Sequence, residues 1–138
     1  MTNPSFAVAW TCRQFIQRAL YSHKAVESCT VKNNIHYQIK RTDNRSDVNM
    51  VFVDEYVLGE ATCYEVIEKF ENVQVIVNNG TWNHMAVNRE DFYQNTNILV
   101  FKITDFFGAL HLSKMEKYVS PEEREEIAEK NRANSKRN

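Results

Sequence analysis

The run VQVIV, residues 73–77, limits this chain more than any other stretch. It is too short for a stable helix, and its valines and isoleucine fit a pleated surface. An almost wholly apolar run of this length reads as a central strand covered on both faces. Such a strand needs neighbours on both sides and helices above and below. Two more apolar runs, VNMVFV (48–53) and ILVFKI (98–103), supply the neighbours.

The remaining pattern fills in the layers. Cys12, Phe15, Ile16, Ala19 and Leu20 recur at helical steps, which predicts an amphipathic helix over about 5–21. Val26, Cys29 and Val31 make a short strand broken by KNN at 32–34. IHYQIKR (35–41) alternates as a half-buried strand, and TDNRSD (42–47) is a polar turn that makes a hairpin with 48–53. Cys63, Val66, Ile67 and Phe70 give the stripe of a helix over about 60–70, and Trp82, Met85, Ala86 and Phe92 that of a helical segment around 81–94. Thr104 and Asp105 are caps for a short helix holding Phe106, Phe107 and Leu110. SPEE (120–123) places Ser at the N-cap, Pro at the first helical position and Glu at the third, a capping box. The helix after it has only Ile127 and Ala128 as anchors, and its polar end NRANSKRN is expected to fray. The order predicts an α/β fold: a three-layer-like mixed sheet flanked by helices, with a capped C-terminal helix. Residues 1–119 form the body and residues 120–138 the helix and tail.

Composition narrows the function classes. A net charge of −1 over 138 residues does not mark a strong free nucleic-acid binder. Three scattered cysteines without a Cys-x-x-Cys fit a reduced intracellular protein. Neither a secretory signal nor an apolar run of bilayer length is present, so no membrane partner is expected.

VIVNNGTWNHMA (75–86) is a strand, a turn and a helical start, a layout on which active sites and phosphate sites are often built. One glycine is too few for a phosphate-binding loop. The histidines at 23, 36, 84 and 111 lack metal-ligand spacing, so no metal is expected. The catalytic alternative is a metal-dependent nuclease, which needs an acid on one strand and Asp/Glu-x-Lys on the next to hold Mg²⁺ and position water. Gln38-Ile39-Lys40 with Glu27 upstream is a degenerate version, because Gln38 replaces the second acid. The bland reading makes QIK the polar face of an amphipathic strand.

The succession HYQIKRTDNRSDVNMVFVDEYVLG, VQVIVNNGTWNHMA, ILVFKITDFF and YVSPEEREEIAEK, over about 35–130, resembles the N-terminal jaw domain of the fifth common subunit of eukaryotic RNA polymerases. That family has an apolar strand ending in a turn, an Asn-Ile-Thr-like strand and a Thr/Ser-x-x-Glu helix start in this order. Its jaw is similar in fold to restriction endonucleases without their catalytic residues. The family's turn carries Thr-Pro-Ser-Ala, whereas Thr81, Trp82, Asn83 and His84 stand here. The family also continues into a C-terminal assembly domain that begins where this chain stops.

The resemblance implies a non-catalytic accessory subunit of a cellular or virus-encoded DNA-directed RNA polymerase. Its partners would be the largest polymerase subunits, with downstream DNA nearby and no small-molecule substrate or cofactor. It would work in the nucleus, or in a viral factory or virion. By position, Asn79, Gly80, Thr81, Trp82, Asn83 and His84 would lie near DNA. Otherwise Trp82 and Met85 pack inward and the turn is only a corner. The alternatives are the nuclease using Glu27, Gln38 and Lys40, with Mg²⁺ as its cofactor, and a stand-alone interaction adaptor that uses the tail.

Overall fold

The computed structural model describes residues 8–79 and 84–136. The first helix, α1 (Trp10–Ser22), leads into three strands: β1 (Val26–Asn33), β2 (His36–Arg41) and β3 (Val48–Val53). After a two-residue strand β4 (Val57–Leu58) come α2 (Glu60–Lys69) and β5 (Val75–Asn78). Then follow β6 (His84–Met85), α3 (Arg89–Thr96), β7 (Leu99–Lys102), α4 (Ile103–Ala109) and α5 (Pro121–Lys136). The main sheet has the order β1-β2-β3-β5-β7, antiparallel between its first three strands and parallel between its last three. It is a mixed α/β sheet flanked by helices with a C-terminal helix, the fold class the pattern implies.

Each helix pair has its own face. His23, which ends α1, has Nε2 2.9 Å from the Phe107 carbonyl of α4, so these two helices share a side. Tyr64 of α2 meets Phe92 of α3 edge-on at 5.3 Å on the other side. β2 shows the alternation between them. Tyr37 is buried on the α1 side near Gln17, its hydroxyl donating to the Asn34 carbonyl at 3.1 Å, whereas His36 points the opposite way against Phe70 after α2. All four residues of β5 are buried, as its apolar run requires.

Turn chemistry depends on asparagine and aspartate, because the chain has only three glycines. Asn34, Asp43, Asn44, Asn72 and Asn97 all hold positive φ, and together they reverse the chain at four connections. The β2–β3 turn is also bolted to the sheet by a buried arginine. Arg41 Nε donates to the Ser46 carbonyl at 2.8 Å, and Nη1 donates to the carbonyls of Leu110 and Leu112 at 3.1 and 2.7 Å.

Five boundaries differ from the pattern, the first being α1, which starts at Trp10 with Val8 and Ala9 outside it. β1 is one eight-residue strand with shifts in its pairing rather than a broken piece. His84 and Met85 are strand, not helix, and pair in parallel with Val57 and Leu58. α3 starts only at Arg89, where the Asn88 side chain accepts the Asp91 N–H at 3.1 Å as the N-cap. Thr104 and Asp105 lie inside α4, which begins at Ile103 with no side-chain cap.

At α5 the start is as expected: Ser120 Oγ accepts the Glu123 N–H at 3.2 Å. Glu123 pairs with Arg89 of α3 at 2.7 Å, and the Arg89 guanidinium lies 5.3 Å from the centre of the Phe101 ring. Past that turn the described side chains are exposed, and the helix runs on to Lys136.

Candidate nucleic-acid interface

The sheet's three parallel strands all end on the same side, where open α/β sheets place their ligand sites. β5 delivers the polar corner there. Asn78, 2% exposed, accepts the Glu55 N–H on Oδ1 and donates from Nδ2 to the Glu55 carbonyl, both at 3.0 Å. A single buried amide therefore ties the end of β5 to the chain leaving β3. Asn79 repeats the device one residue on. Its N–H donates to the Val53 carbonyl at 2.9 Å, and its Nδ2 to Cys12 Sγ of α1 at 3.3 Å.

Of the residues assigned near DNA, Asn79 is half-buried and engaged in these bonds. Gly80, Thr81, Trp82 and Asn83 lie outside the described residues, and His84 is described only as part of β6. Two flanks border the corner. Lys102, exposed, stands opposite Asn78 at the end of β7. On the other side lie exposed Asp54 and half-buried Glu55. Burial raises the Glu55 carboxyl above its ordinary range, with Asp54 and then Glu65 adding to the effect. Phosphate contact is favourable on the Lys102 side and opposed on the acidic side.

The nuclease residues are distributed differently. Gln38 faces Thr30 across the β1–β2 pair, and exposed Lys40 faces Ser28. Glu27, also exposed, falls at the shift in register between Val26 and Ser28 on the outermost strand. The three thus sit on the antiparallel half of the sheet, away from the parallel strands' common exit. Among the described residues no group of three or more His, Cys, Asp or Glu side chains is arranged to hold a metal ion.

The titratable groups elsewhere are structural in surroundings. Burial pushes the Cys29 thiol up to about 11 and that of Cys63 to about 12. His23 accepts the Ala25 N–H on Nδ1 at 3.1 Å, so its Nε2 carries the proton donated to the Phe107 carbonyl. The His111 ring lies 4.5 Å from it, centroid to centroid.

Two features escaped the sequence pattern. Asn78 reads as the first residue of a loop, yet it is as buried as the valines before it. Its only signal is a pair of asparagines directly after an apolar run. Lys102 becomes part of the corner only through the β5–β7 register, which depends on pairing distant segments. Comparison with protein-family models, with curated proteins and with solved structures finds no match for this chain. Among the described residues, no helix is long and apolar enough to cross a membrane.

Proposed function

We propose that the chain is a non-catalytic, jaw-like accessory subunit of a multisubunit DNA-directed RNA polymerase, with the corner after β5 held beside downstream DNA. The observation that carries this reading is the succession helix, three antiparallel strands, helix and parallel strand, in which HYQIKR, VNMVFV, VIVN and LVFK are strands. The corner's construction adds support. Asn78 and Asn79 brace its start against β3 and α1, so the residues that follow leave a rigid base. With Lys102 the described cation at the end of the neighbouring strand, contact with DNA would be weak without a polymerase to hold the two together.

The test is affinity purification of the full chain from its native cells followed by mass spectrometry. Recovery with both largest polymerase subunits supports the reading, and recovery without either one overturns it. In the purified polymerase, Thr81→Ala with Asn83→Ala should weaken crosslinking to downstream DNA and leave assembly intact. Plasmid cleavage with added Mg²⁺ that vanishes in Lys40→Ala would favour the nuclease instead.

A further inference from the structure

The outer side of α1 carries a second feature, which meets the corner at Cys12 and Asn79. Ile16 and Leu20 hold this helix to the sheet, whereas Trp10, Phe15 and Tyr21 stand 63%, 57% and 63% exposed. At about 100° per residue Phe15 lies about 140° around α1 from Trp10 and about 120° from Tyr21, so of the three it is Phe15 that borders α4. Phe15 forms the rim of an open pocket of about 410 Å³ between α1 and α4. Thr11, Cys12, Asn79, Ile103, Thr104 and Phe107 complete its lining, and none of them is charged.

Charge on this helix has one sign. No aspartate or glutamate occurs before Glu27, while Arg13, Arg18 and Lys24 precede it. Because the whole chain is at −1, the rest of it is acidic. Thr11, Phe15, Arg18 and Ser22 share a stripe at helical spacing, which places the exposed Arg18 one turn from the pocket rim. Among the described residues the ion pairs are Arg45–Asp43 and Arg89–Glu123, so neither Arg13 nor Arg18 is engaged in one.

We infer that this face docks an acidic amphipathic helix of a partner protein. Apolar side chains of the partner enter the pocket beside Phe15, and its carboxylates meet Arg18 and Lys24. Aromatic residues and arginine at an apolar centre are the composition of protein interfaces. Nucleic acid fits less well, since three cations neutralise few phosphates and no charged side chain lines the pocket. The inference goes beyond the polymerase reading and does not depend on it.

Fluorescence anisotropy on the purified full chain provides the test, with three labelled probes. The first is a designed helical peptide with leucines on one face and glutamates on the other. The second is its Glu-to-Lys counterpart, and the third is oligothymidylate. The acidic peptide should bind, more weakly as salt rises, and its affinity should fall about tenfold in Phe15→Ser and again in Arg18→Glu. Ile127→Ser on α5, also an exposed apolar side chain, should leave binding unchanged. Equal binding of the lysine peptide, tighter binding of oligothymidylate, or no binding of the acidic peptide each overturns the inference. So does salt-sensitive self-association abolished by Phe15→Ser, which would make a second copy the occupant. If Phe15→Ser lowers the melting temperature, Arg18→Glu, on an exposed side chain, decides alone.

Discussion

The two halves of the sheet are built to different rules. In the parallel half, β5 is buried at every position and β3 at all but Asn49. On β1, at the opposite edge, Cys29 is the one buried residue. The parallel strands are enclosed between helix pairs, so each side chain there has packing partners on its own face. β1 rests against α1 on one face and shows its polar residues on the other. Stability is therefore concentrated in the parallel half, and the chain's candidate corner emerges from that rigid end. The exposed positions of β1 can absorb substitution without disturbing the corner, whereas β2 buries Tyr37 and Ile39 completely.

Two substitutions should separate the halves most sharply. Phe52→Ala on β3 empties a fully buried site and should cost about 3–5 kcal/mol in urea unfolding. Thr30→Ala on the exposed face of β1 should stay within about 0.5 kcal/mol. Equal costs would remove the distinction. Arg41 marks the junction between the two regimes, because β2 buries it, charge and all, at 3% exposure one position past exposed Lys40. Arg41→Met should cost about 3 kcal/mol by leaving the carbonyls of Ser46, Leu110 and Leu112 without their donor. Arg41→Lys should recover part of the loss, since one ammonium cannot span the same fork of acceptors.

How much of this was legible follows the same division. VQVIV, VNMVFV and ILVFKI announce buried strands because burial on both faces leaves no room for polar residues. SPEE announces α5 because a capping signal is local. β1 was legible only in fragments, since a strand covered on one face and shifted in register hides its alternation. The β4–β6 pair left no readable trace, as each of its strands is two residues long and depends on the other for its hydrogen bonds. At the corner, sequence located the turn but not its support. Asn78 and Lys102 acquire their positions from pairing between strands far apart in the chain. The bridge from Asn78 to Glu55 can be tested directly. Asn78→Asp removes the donor to the Glu55 carbonyl and adds a charge beside a carboxylate already disfavoured by burial. It should cost roughly 1–3 kcal/mol, less than the core truncation.

The smallest expected effect concerns the contact between α1 and α4 on the face opposite α2 and α3. His23 is held below its ordinary 6.5 mainly by burial; the bond to the Phe107 carbonyl opposes this, and repulsion from His111 adds to it. His36, on the other face, is lowered by burial and Lys32 against the pull of Glu71. An imidazole with a lower pKa in the folded state binds fewer protons there than in the unfolded chain. Its contribution is complete above 6.5 and declines as pH falls towards the folded value. The melting temperature should thus drop modestly on acidification below 6.5, and His23→Gln should make that decline shallower. Beside the ring stands His111, with Lys24 next in sequence to His23; Arg45 donates to the His111 carbonyl at 3.1 Å and pairs with Asp43. His111→Gln removes one of the two depressing causes, so the His23 titration followed by NMR should move up without reaching 6.5. An unchanged His23 titration would mean that burial, opposed by the Phe107 bond, sets it, leaving the ring pair a packing contact.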